Sequence, residues 1–268
     1  MTHPIKILII GAGHMGGAIA VGLKRSTQDI SMTIIDTDPA RRADMEELGI
    51  RTLETLPEQI TSDVLILAVQ PQKFASLSKD SPQLRQYDGL IISVMAGINT
   101  FQLSAHLNTN QICRAMPNIA CAIGEGTTIL VQQPLLTGRN HALAEIIFSS
   151  LGKIFVSKEE ALFDTATALV GGGPAYIAYF AASLIEYGIS AGLDESLTTA
   201  MVIQTLRGTT ALLESIPASP MTICEKVMTP NGTTVRAIHF FDSMQLRTII
   251  MKGLKQSSVR SMELGGGA

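Results

Sequence analysis

The sequence predicts an α/β chain, with an N-terminal Rossmann-type doubly wound sheet followed by an all-α dimerisation domain. Three observations predict it. Short, almost wholly apolar runs rich in β-branched residues alternate with amphipathic stretches through the first half. A GxGxxG pattern joins the first of these runs to the first helical stretch. Beyond residue 157 the runs stop and long, nearly uncharged helices take over.

In order, residues 5–10, 32–35, 64–69, 90–94 and 111–115 read as buried strands, because a parallel sheet covered on both faces needs near-continuous apolar runs. Residues 14–25, 39–48 and 71–79 read as the helices between them, which makes βαβ units. Residues 126–131 and 153–156 add edge strands, with a helix over 139–150. These elements define an expected dinucleotide-binding domain, residues 1–157. In the expected helical domain, 158–268, residues 158–169 read as one helix and Gly173-Pro174 starts a second. Gly192 ends that helix, and Asp194 caps a third that runs to about residue 214.

Composition narrows the function classes. The chain has 268 residues, 46% of them hydrophobic and 16% charged, with a net charge of −3. Such a balance points to large helix interfaces or an oligomer. Residues 174–191 and 196–213 carry one charge each, Glu186 and Arg207, so a homodimer core is expected there. No basic block marks a nucleic-acid partner. The three cysteines (113, 121, 224) form no CxxC pair, and the five histidines lack metal-ligand spacing, so no metal is expected. The opening MTHPIKILIIGAG lacks the long apolar core and cleavage site of a signal peptide. Residues 165–185 are uncharged, but Gly171-Gly172-Gly173-Pro174 divides them into lengths too short to span a bilayer. A cytoplasmic, reducing setting without a membrane partner is the expectation.

The motif IKILIIGAGHMGGAIA assigns Gly11 to a tight turn, Gly13 to close approach of a pyrophosphate, and Gly16 to helix packing. His14 and Met15 belong to the helix N-terminus that meets the anion. Asp36, ending the second strand, accepts from ribose hydroxyls and repels a 2′-phosphate, which leans towards NADH over NADPH. Arg41 and Arg42 follow closely and leave that preference open. Ala68, Val69, Gln70 and Pro71 end the fourth strand, and Ala96 follows the fifth, where open α/β sheets place ligands.

GAGHMGGAIA, AVQPQ, RAMPNIACAIGEGTT, GGGPAYIAYFAASLIEYGISAGL with QTLRGTTALL, and TPNGTTVRAI occur in this order. Together they resemble the pyrroline-5-carboxylate reductase family over nearly the whole chain. The resemblance implies NAD(P)H-dependent reduction of a carboxylate-bearing cyclic imine to L-proline. It also implies a homodimer or higher oligomer through the helical domain, with the C-terminal turn facing the partner's nucleotide domain. It places the substrate carboxylate on Gly232, Thr233 and Thr234, with Thr229 and Asn118 also lining the site. Thr234 is the catalytic residue so implied, its hydroxyl lying near the ring nitrogen. Taken alone, the turn reads as a plain stop and restart in which a threonine caps the next helix. The chain departs from the family pattern at His14, Gln70, Ile119-Ala120, Val170, Gly172 and Asn231. Two alternatives therefore stay open: a paralogous reductase of another cyclic imine carboxylate, or a non-catalytic dinucleotide-binding scaffold.

Overall fold

The computed structural model describes residues 3–131 and 134–266. Two compact units make up the chain, Met1–Pro174 with Lys255–Ala268, and Ala175–Leu254.

The first unit is built on an eight-stranded sheet in the order β3-β2-β1-β4-β5-β6-β7-β8. The strands are β1 (Ile5–Ile10), β2 (Ile30–Ile35), β3 (Arg51–Leu53), β4 (Val64–Leu67), β5 (Leu90–Ser93), β6 (Ile112–Met116), β7 (Gly126–Val131) and β8 (Gly152–Ser157). All neighbours pair in parallel except β6 and β7. Between the strands run α1 (His14–Arg25), α2 (Pro39–Glu47), α3 (Pro71–Asp80), α4 (Thr100–Leu107) and α5 (Gly138–Ser149). Both β3 and α4 escape the sequence reading. β3 is three residues long and starts with a charged one, too little for a period to register.

Both faces of the sheet are covered, which is why the strands read as unbroken apolar runs. Side chains alternate: Ile7, Ile9, Val64 and Ile66 pack with Ile19, Leu23 and Phe148 of α1 and α5 on one face. Leu8, Ile10, Leu65 and Leu67 pack with Phe74, Leu103 and Leu107 of α3 and α4 on the other. Each such fully buried side chain stabilises the fold by roughly 1.5–3 kcal/mol. The chain builds β2 and β3 to one side of β1, then returns to build β4 to β8 on the other. This reversal leaves a crevice between the ends of β1 and β4.

Residues 158–169 do not form one regular helix. A 3-10 turn at Glu160–Leu162 leads into α6 (Phe163–Ala166), then a π-helical turn at Thr167–Gly171, before α7 (Gly173–Ser190). Buried Phe163 joins Met116 and Val131 in a small core, and Arg114 pairs with Glu160 at 2.9 Å. Packing thus carries the first unit past residue 157, to Pro174, although the strands end at Ser157. Gly172 bends within helical backbone (φ −79°, ψ −13°), a milder break than the glycine run suggests. By length and composition, Glu160–Ser190 is apolar enough to cross a membrane.

The second unit holds most of α7, then α8 (Glu195–Ser215), α9 (Pro220–Val227), α10 (Thr233–Ser243) and the start of α11 (Leu246–Gly265). Gly188 allows α7 to meet α8 closely, since a Cβ there would lie 2.4 Å from Thr198 Cγ2. Little else is buried. Ile177, Tyr179, Tyr187 and Ile203 are 59%, 80%, 73% and 58% exposed. An apolar surface on this scale is what a helical interface looks like without its partner.

Candidate functional site

The cleft at the sheet reversal begins with Gly11, whose φ of +105° suits glycine alone among common residues. A Cβ there would stand 2.6 Å from Ala68 O, so the turns after β1 and β4 touch through backbone. At Gly16 a Cβ would lie 1.9 Å from Gly11 O, which seats α1 against the turn. Gly13 differs: a Cβ there would meet nothing nearer than Arg41 Nη1 at 3.7 Å, and would intrude into the cleft. Gly13 is the N-cap of α1 and offers no side-chain bond. The first N–H groups of the helix are left for an anion.

Asp36 is held rather than free. Its Oδ2 accepts from Ala12 N at 2.7 Å and its Oδ1 from Asp38 N at 2.9 Å, tying the end of β2 to the glycine turn. The two arginines divide their tasks. Arg42 donates to Asp36 O at 2.8 Å and pairs with Glu54 at 3.7 Å, which commits it to the scaffold. Arg41, half exposed, lies 3.6 Å from Asp36 and lines the cleft.

The cleft encloses about 1230 Å³ and gathers Gly11, Gly13, His14, Asp36, Ala68, Val69 and Gln70 as the sequence predicts. Met15, the second residue of α1, instead packs against the core. Pro71 supplies the first turn of α3, whose N-cap Gln70 makes no side-chain bond. Ala96 packs on Met116, Val131 and Phe163 and is not part of the cleft wall. Asn118 is buried, its Oδ1 accepting from Thr127 N at 3.3 Å. Sequence reasoning missed Glu54, Leu56 and Lys73 in the lining. The first two follow the unrecognised β3; Lys73 falls one turn into α3 from Gln70, a spacing that places both near one helix end.

In the second unit, the turn between α9 and α10 places Asn231 at φ 59° and closes with Gly232 N donating to Thr229 O at 2.9 Å. Gly232, not a threonine, is the N-cap of α10, and no side chain caps that helix. A Cβ on Gly232 would meet Thr229 Oγ1 at 2.3 Å. Among the described residues, the hydroxyls of Thr233 and Thr234 make no hydrogen bond within the chain. The contrast with other helices is informative. Asp38, Asn99, Thr137, Asp194 and Ser219 cap α2, α4, α5, α8 and α9 through their side chains. The starts of α1, α3 and α10 remain open. Among the described residues, no cluster of His, Cys, Asp or Glu suited to a metal occurs.

Two family models match this chain, one for pyrroline-5-carboxylate reductase dimerisation over residues 160–264 and one for coenzyme F420-dependent NADP oxidoreductases over residues 6–97. The pyrroline-5-carboxylate reductase of a Synechocystis species is 32% identical, over 97% of this chain and 98% of that one. The chain belongs to the pyrroline-5-carboxylate reductase family. Among solved structures, the reductase of Streptococcus pyogenes superposes with a TM-score of 0.87 at 26% identity, covering 98% of this chain and all of that one (100%). The Plasmodium falciparum reductase, solved with NADP bound, gives 0.86 at 25% identity over 97% and 100%.

Against the reductase pattern, the departures have physical readings. Asn231 departs from the family pattern, yet after glycine asparagine is among the residues that best tolerate the left-handed conformation found there. Gln70, another departure, stands at the open start of α3, and Lys73 places a cation in the same cleft. Nothing in the structure explains the departures at Val170 and Gly172.

Proposed function

We propose that this chain is an NAD(P)H-dependent pyrroline-5-carboxylate reductase, an oxidoreductase acting on a C=N bond in the last step of proline synthesis. The observation that carries the reading is the set of open helix starts. Side chains cap α2, α4, α5, α8 and α9, whereas α1 and α10 begin on glycines that leave N–H groups for a ligand. The cradle at Gly13, which a Cβ would fill, fits a pyrophosphate.

When bound, NAD(P)H supplies the hydride for the imine carbon. The chain's own residues bind and orient. Gly11, Gly13 and His14 receive the pyrophosphate, and Asp36 and Arg41 receive the adenosine ribose. Thr233 and Thr234 hold the substrate carboxylate through the N–H groups at the start of α10, and Gly232, whose own N–H donates to Thr229 O, keeps the backbone approach free of a Cβ; Thr229 and Asn118 are further substrate contacts. The Thr234 hydroxyl has no internal partner and is available to donate to, or relay a proton at, the ring nitrogen. It does so without a charge that would repel an iminium. In this division of labour, residues 1–157 bind the dinucleotide and residues 158–268 carry the substrate and dimerisation surfaces, with 158–174 and 255–268 packed into the first unit.

Cofactor preference follows from charge. Asp36, Asp44, Glu54 and Asp80 line the cleft against Arg41 and Lys73, an acidic balance that disfavours a 2′-phosphate. NADH is therefore used at least as well as NADPH. A homodimer through α7 and α8 covers the exposed apolar surface there. The setting is cytoplasmic, a reading supported by free Cys113, Cys121 and Cys224.

The test is oxidation of NADH and NADPH with pyrroline-5-carboxylate, beside piperideine and thiazoline carboxylates. Turnover fastest on pyrroline-5-carboxylate is expected. Faster turnover on a six-membered or sulfur-containing imine would reassign the substrate, and no turnover on any would leave a dinucleotide-binding scaffold.

A further inference from the structure

The loop that follows β5 is clamped from two directions by residues distant in sequence. Gly97, at φ +78°, packs backbone to backbone on Gly265 near the end of α11; a Cβ on Gly265 would lie 2.0 Å from Gly97 O. Gln102 completes the capping box of α4 and also donates from Nε2 to Gly265 O at 2.8 Å. Ser261 donates to Asp164 Oδ1 at 2.6 Å and so anchors the same end of α11.

From the other direction comes Glu160. Its Oε1 accepts from Thr100 N at 2.8 Å, Thr100 Oγ1 at 2.9 Å and Arg114 Nη1 at 2.9 Å. Thr100 is the first residue of α4, so the carboxylate sits where the helix dipole favours negative charge. Arg114 is 3% exposed, lies over the Phe163 ring at 3.8 Å, and leaves Nε and Nη2 without a partner among the described residues. Burial pulls its pKa below the ordinary value, and Glu160 opposes that shift. A bare fold does not require a buried, half-satisfied arginine. Replacing such a pair by apolar residues commonly costs nothing.

We propose that Glu160 is a positioning residue for the nicotinamide half of the cofactor site. It fixes the loop at residues 96–99 through Thr100, while Gly265 closes the loop from the far side. Ligands in open α/β sheets lie beyond the carboxyl ends of the strands, and this loop continues from β5 at that edge. The inference rests on the reductase reading, which requires a nicotinamide site; Ala96 itself packs on Met116, Val131 and Phe163, so the loop would act through its backbone.

The test uses the full chain carrying Glu160→Gln or, independently, Gly265→Ala. ADP-ribose, which has the adenosine and pyrophosphate but no nicotinamide, is titrated beside NADH, and kcat is measured. ADP-ribose affinity should stay within about twofold of the parent, while kcat or NADH affinity falls about tenfold or more, since small misplacements at a reacting centre are costly. Glu160→Asp should recover part of the loss. Folded variants with unchanged NADH affinity and kcat would overturn the proposal. So would equal loss of ADP-ribose and NADH binding, which marks general loosening. Should Glu160→Gln not fold, Gly265→Ala decides by the same criteria. Failure of the unaltered chain to reduce pyrroline-5-carboxylate would overturn the reductase reading instead, and the binding comparison would still judge Glu160.

Discussion

Thr234→Ala removes a hydroxyl from the second residue of α10, at a helix start whose N-cap is Gly232 and which no side chain caps. Had the threonine been a cap, its loss would cost about 1 kcal/mol of stability. In a chain of this size that is a fall in Tm of about 2–4 °C. The structure removes that term, so the variant should melt within about 1 °C of the parent. Turnover is another matter. A donor aimed at an atom whose charge changes during reaction is typically worth about a hundredfold in kcat, close to 2.7 kcal/mol of barrier. The assay is kcat at saturating NADH and pyrroline-5-carboxylate, with a melting curve on the same preparation. Thr234→Ser keeps the hydroxyl and should retain most of the rate. A drop in Tm with turnover per folded molecule unchanged would refute the reasoning and return Thr234 to a structural role.

Three further outcomes follow from the geometry. Gly16→Ala forces a Cβ to 1.9 Å from Gly11 O; the turn must shift, at a cost of about 1–3 kcal/mol, and NADH affinity measured by fluorescence titration should fall. Unaltered affinity would mean that the turn is not part of the nucleotide site. Asp36→Ser removes the acceptor for Ala12 N and an adjacent negative charge, so the ratio of NADPH to NADH use should rise in steady-state kinetics. A constant ratio would show that Asp36 does not govern the choice. Burial pushes Cys113 from 9.0 up to about 12 and Cys121 up to about 11. Between pH 9 and 11 the unfolded chain releases thiol protons that the folded chain keeps, so stability falls as pH rises through that window. The urea midpoint should be lower at pH 10 than at pH 8, and the combined Cys113→Ala, Cys121→Ala variant should show less of this dependence. An identical dependence in that variant would exclude the thiols as its source.

The parts legible in the sequence are those set by short-range chemistry. Six-residue apolar runs such as Ile5–Ile10 state that a strand is buried on both sides, and Gly11, Gly13 and Gly16 state what their backbone must do. Even the open turn before α10 is visible, because Pro230, Asn231 and Gly232 punctuate locally. The helix α4 was readable in principle, through the Asn99–Gln102 capping box, but its length of eight residues gave the apolar period little room.

Tertiary structure alone decided how ambiguous residues are used. Arg41 and Arg42 are neighbours of one type, and only the fold turns one to the cleft and commits the other to Asp36 O. Glu160 meets Thr100 across 60 positions, and Gln102 meets Gly265 across 163. Such pairings leave no periodicity in the chain. A local pattern reflects the energy of neighbouring residues, whereas these contacts exist only once the sheet and α11 have brought distant backbones within hydrogen-bond reach.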